Sequence, residues 1–210
     1  FTTSASDATI TLSNTTNALG GTVAFTTAGT TGNVVIDNGT TALDLAASTI
    51  NGTLTATGGA SAGIVDSGNV AVAGNVTLTT DAGNGVINMG TLQQSAGDLI
   101  LVTNGNGAAT VVNNAAIDFG TSNVGGALNV TASAGTITQN GGALTVAGTS
   151  AFTTSTNDQA ITLSNTTNAL TGAVAFTTGG TTGNVVIDNG TTALDLAAST
   201  INGTLTATGG

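Results

Sequence analysis

Short alternation of apolar and small polar residues runs through the whole chain: TITL at Thr9–Leu12, NVVID at Asn33–Asp37, ALDLA at Ala42–Ala46, GTLTAT at Gly52–Thr57 and NVAVAGNVTLTT at Asn69–Thr80. DLILVT (Asp98–Thr103), ALNVTA (Ala127–Ala132) and ALTVAG (Ala143–Gly148) continue it. A period of two sends neighbouring side chains to opposite faces of a strand, so Leu43 and Leu45 face one way and Asp44 the other. Clusters of Gly, Asn and Asp, which tolerate positive φ, break the runs into very short pieces. No segment carries a sustained helical period. The pattern predicts an all-β chain.

Landmarks decide between a sandwich and a solenoid. The pairs Val34/Ile36, Leu54/Ala56, Val76/Leu78 and Leu99/Leu101 recur at steps of roughly 20–23 residues, a length that suits one unit of a stacked solenoid. Hairpins of a sandwich give no such higher-order step, whereas a parallel β-solenoid stacks one coil per step, with ladders about 4.8 Å apart. On that spacing the chain predicts roughly ten coils and a rod of about 45–50 Å.

A longer repeat overlies the coils. Phe1–Gly59 returns as Phe152–Gly210 at a constant offset of 151 residues with seven substitutions, among them Ala5/Thr156, Gly20/Thr171 and Ala28/Gly179. Residues 1–151 therefore read as one full repeat of about seven coils, and 152–210 as the start of the next, in one continuous solenoid. The chain reads as a window from a longer tandem array, whose next residues are expected to resemble Ala60–Asp66.

Composition narrows the function. The chain has no Lys, Arg, His, Cys, Pro, Trp or Tyr, and its net charge of −10 comes from ten aspartates. Without cations nothing neutralises phosphates, which argues against nucleic acid and against anionic membrane surfaces. No apolar run is long enough to span a bilayer. The abundance of Thr, Val and Ile argues against disorder. Absence of proline suits strands paired on both sides. Phe1, Phe25, Phe119, Phe152 and Phe176 are expected to fill the core at a wider corner of the coil.

Candidate chemistry is sparse. Asp7, Asp37, Asp44, Asp66, Asp81, Asp98 and Asp118 are scattered, and without His, Cys, Lys or Tyr a nucleophile–base pair is hard to assemble. We therefore expect no enzyme, and no catalytic, cofactor-binding or metal residues. Aspartates and turn carbonyls could serve Ca²⁺, but the GGxGxDxUx signature is absent. Thr-x-Thr pairs (Thr9/Thr11, Thr53/Thr55/Thr57, Thr77/Thr79, Thr136/Thr138) suggest an ice-binding array only if they stack in successive coils, and their uneven steps argue against that. Asn-x-Thr sequons stand at Asn14, Asn38, Asn51, Asn75 and Asn129, with copies at Asn165, Asn189 and Asn202.

ITLSNTTNALGGTVAF and its copy ITLSNTTNALTGAVAF, with AIDFGTSNVGGALNVTASAGTITQNGGALTVAGT, resemble the repeat regions of filamentous haemagglutinin-type proteins. That resemblance implies a right-handed parallel β-helix in a long exported fibre, a surface adhesin carried by two-partner secretion in a Gram-negative bacterium. The expected role is a structural shaft at the cell surface, with neighbouring repeats or identical subunits and a host or cell-surface receptor as partners. A self-assembling filament or sheath subunit, and a solenoid binding ice, Ca²⁺ or carbohydrate, are the alternatives. No cofactor is expected.

Overall fold

The structure, a computed structural model, describes all residues from Phe1 to Gly210. It is all β, without a helix, and every strand pairing is parallel. Two sheets face each other across the core, with 13 strands in sheet I and 10 in sheet II. The chain passes from one sheet to the other and advances one rung per coil. The central path of sheet I runs through Ile10–Leu12, Val34–Asp37, Leu54–Gly58, Val76–Thr80, Asp98–Val102, Ile117–Phe119, Ile137–Gln139, Ile161–Leu163, Val185–Asp188 and Leu205–Thr208. These ten rungs bound about nine coils, one fewer than the sequence suggests.

The landmarks stack as their alternation requires. Val34 lies in register with Leu54, Leu54 with Val76 and Val76 with Leu99, while Ile36, Ala56, Leu78 and Leu101 form the neighbouring row. All eight are buried. Their inward period-two partners join a single apolar cluster of 39 buried residues, so the rod has one continuous core. Coils differ in length, Val34 to Leu54 being a short one and Ile10 to Val34 a long one, and the turns absorb the difference. From Ile10 to its copy Ile161 the path takes seven steps on the same sheet.

Four phenylalanines are fully buried, Phe25 just beyond the strand Thr22–Val23 and Phe119 at the end of Ile117–Phe119. Phe152 and Phe176 lie in mid-strand on sheet II, in register, with ring centroids 5.8 Å apart and planes 20° from parallel. Phe119 reaches across from sheet I to meet Phe152 edge-on at 6.2 Å. Phe152 and Phe176 continue a row that smaller residues occupy in the preceding coils, Val111 and then Val130. Phe1 stacks on Phe25 and is half exposed.

Candidate functional site

Polar groups inside the coil corners are the most elaborate chemistry of this molecule. Three asparagines that read as turn residues in sequence, Asn38, Asn113 and Asn189, are fully buried. Each amide acts as a short piece of backbone. The Asn38 Nδ2 donates to the Leu19 and Ala42 carbonyls, and its Oδ1 accepts the Leu19 amide at 2.8 Å. Asn113 does the same with Gln94 and the Ala116 carbonyl, and Asn189 with Leu170 and the Ala193 carbonyl. A buried amide whose donors and acceptor are all engaged closes a corner where the backbone ladder breaks.

Hydroxyls serve the other corners. The Ser48 Oγ accepts the Phe25 amide and donates to the Ala46 carbonyl. Ser122 treats Leu101 and Gly120 alike, and Ser199 treats Phe176 and Ala197 alike. Buried Thr27, Thr103 and Thr178 donate to the carbonyls of Gly32, Gly107 and Gly183 and accept amides from the next coil, those of Asn51, Gly125 and Asn202.

Three aspartates latch neighbouring coils. Asp7 adopts φ of 60°, in the left-handed region that Asp tolerates. Its Oδ1 accepts the backbone amides of Thr30 (2.7 Å) and Thr31 (2.8 Å) in the following coil. Those two amides, then the Ser6 and Thr31 hydroxyls, stabilise the carboxylate and hold its pKa down to about 2. Asp158, its copy, is lowered by the amides of Thr181 and Thr182 in the same way. Asp66 accepts the Gly90 and Thr91 amides. Asp37 accepts the Gly39 amide. Asp98 and Asp118 stand side by side in register, and the Thr138 hydroxyl donates to Asp118. Nowhere do three carboxylates gather.

The sequons separate by burial. Asn38 and Asn189 are enclosed, while Asn51 and Asn202 donate their amides to the Thr27 and Thr178 carbonyls. Asn14 and Asn165 sit in turns, each accepting from the backbone amide and hydroxyl of the Thr two residues on. Asn75 accepts the Asp98 amide, and Asn129 faces outward on its strand.

One expectation about threonine is corrected. Thr55 lies in register with Thr77 and Thr57 with Thr79, so two Thr-x-Thr pairs do stack in adjoining coils. Uneven coil lengths do not prevent this, because the strands keep register while the turns vary. The stack is only two coils tall, bounded by Val35 and Asp37 below and by Ile100 and Val102 above. An open furrow on sheet II passes Asn51, Gln93, Ser95 and Asn114, with no charged group lining it.

Neither a curated protein nor a solved structure matches the chain. A family described as repeats of unknown function does, twice, over residues 31–103 and 106–177. Those two stretches take in most of the nine coils, and the chain belongs to this family, DUF5649.

Proposed function

We propose that this repeat solenoid is a stretch of the shaft of a long extracellular fibre, of the kind the likeness to filamentous haemagglutinin-type repeats suggests. One observation carries the proposal: after seven coils the 151-residue unit re-enters on the same sheet, so the fold extends by adding units. Stacked units share a continuous core and ladder, and stiffness and reach grow with coil number. The internal polar groups reinforce this role, since Asn, Ser and Thr close corners rather than line a cleft. A shaft acts without catalysis, by holding whatever it carries away from a cell surface.

Immunogold electron microscopy of the intact producing cells, with antibody raised to the folded chain, tests the proposal. Gold along surface filaments is the expected result. Gold confined to the cell interior overturns it.

A second reading, an assembling filament subunit, has its own support. Each coil pairs with the next through a parallel ladder of backbone hydrogen bonds, and the same pairing can join one chain to another. Sedimentation of the purified chain over a hundredfold concentration range separates the two: growth into rods supports the subunit, and a constant monomer supports the shaft.

A further inference from the structure

We infer that one family repeat is three and a half coils, so that successive repeats are related by a two-fold screw and put corresponding strands on opposite sides of the rod. The two matched stretches begin at positions 31 and 106, half of the 151-residue period apart. The full period makes seven steps on sheet I. Half of it ends half a coil out of phase, on the other sheet.

Strand by strand, the exchange is visible. Leu43 and Leu45 lie on sheet II, and their counterparts half a period on, Ile117 and Phe119, lie on sheet I. Leu54–Gly58 is on sheet I and Leu128–Ala132 on sheet II. Val70–Val72 on sheet II corresponds to Leu144–Val146 on sheet I, and Val76–Thr80 on sheet I to the first residues of Ser150–Asn157 on sheet II. The corner chemistry moves with them. Ser48 and Ser122 make the same pair of bonds at opposite corners, as do Asn38 and Asn113.

The crossing point is a single coil. On sheet II the strand Ile87–Gln94 stacks on two short strands, Ile64–Asp66 and Val70–Val72, and carries one straight strand, Ala109–Asn113, with a register shift between Met89 and Leu92. On sheet I the reverse happens next. Asp98–Val102 rests on the straight Val76–Thr80 and carries two short strands, Ile117–Phe119 and Ser122–Val124. The bent side of the coil thus passes from sheet II to sheet I, and the outward row Thr57, Thr79 on one face is answered by Thr131, Thr153 on the other. A strand on one flank has its counterpart in the next repeat on the opposite flank, about 17 Å further along the axis at about 4.8 Å per coil.

The chain has no cysteine, so pairs of added thiols report the geometry cleanly. Thr55→Cys with Asn129→Cys places biotin on outward positions of corresponding strands, and Thr55→Cys with Thr77→Cys places it on one sheet in adjacent coils. Monovalent streptavidin is far wider than the axial separation in either pair. Native mass spectrometry is expected to find two streptavidins on the first double variant, one on the second, and one on each single variant. One streptavidin on Thr55→Cys/Asn129→Cys, with each single variant binding normally, puts both positions on one face and overturns the inference.

Discussion

Asn113 shows how a residue typical of turns becomes core. Its amide satisfies the Gln94 amide and carbonyl and the Ala116 carbonyl where no strand neighbour reaches them. Asn113→Ala strands these groups, at roughly 1–3 kcal/mol for each one left buried without a partner. We expect a loss of about 3 kcal/mol or more in urea denaturation, while Asn123→Ala, at an exposed outward position, stays within about 0.5 kcal/mol. Asp7 gives the residue scale a pH signature. Its folded pKa of about 2 lies below the ordinary value of 3.8, so its stabilising effect is fully present above that value and fades as pH falls towards 2. Asp158 shifts in the same direction. The thermal midpoint should therefore drop between about pH 4 and pH 2, and Asp7→Asn/Asp158→Asn should flatten that part of the curve. An unchanged acid limb in the double variant contradicts the latch.

At the scale of strands and turns, the inward rows were legible because burial imposes a period of two. Val34, Leu54, Val76 and Leu99 needed no knowledge of the corners to be aligned. The corners were not legible. Asp37-Asn38-Gly39 has the composition of an exposed turn, and nothing local distinguishes Asn38, which is enclosed, from Asn14, which is not. Phe152 packs between Phe119 and Phe176 and is fully buried. Phe152→Ala should cost about 3–5 kcal/mol, measured by chemical denaturation, whereas Phe1→Ala, half exposed at the first coil, should cost much less. Gly148 marks a corner where coils touch backbone to backbone: a Cβ there would lie 2.5 Å from the Gly126 carbonyl carbon. Gly148→Val should destabilise by about 1–3 kcal/mol, with little change in the far-ultraviolet circular dichroism of whatever remains folded.

For the whole molecule, the 151-residue period is obvious in sequence and the half period is not. After a full period the same face recurs, so surface and core are both repeated and only seven of 59 positions differ. After half a period the segment has changed sheets, and what persists is what rows and corners demand: Ala42/Ala116, Asp44/Asp118, Ser48/Ser122, Gly52/Gly126, Leu54/Leu128 and Thr57/Thr131. That sparse signature was available in the sequence, hidden by the far stronger full repeat. Function was less legible than fold, because the residues build rows and corners rather than a constellation of reactive groups.

The molecule is a rod that advances one parallel rung per coil. Spin labels at Thr11→Cys and Thr162→Cys, and at Thr11→Cys and Thr206→Cys, sit on sheet I seven and nine rungs apart. Pulsed electron–electron resonance should give separations of about 34 Å and about 43 Å, growing by about 4.8 Å per rung. Separations below about 20 Å, or equal for the two pairs, would mean that the chain folds back on itself as a sandwich and would contradict the solenoid.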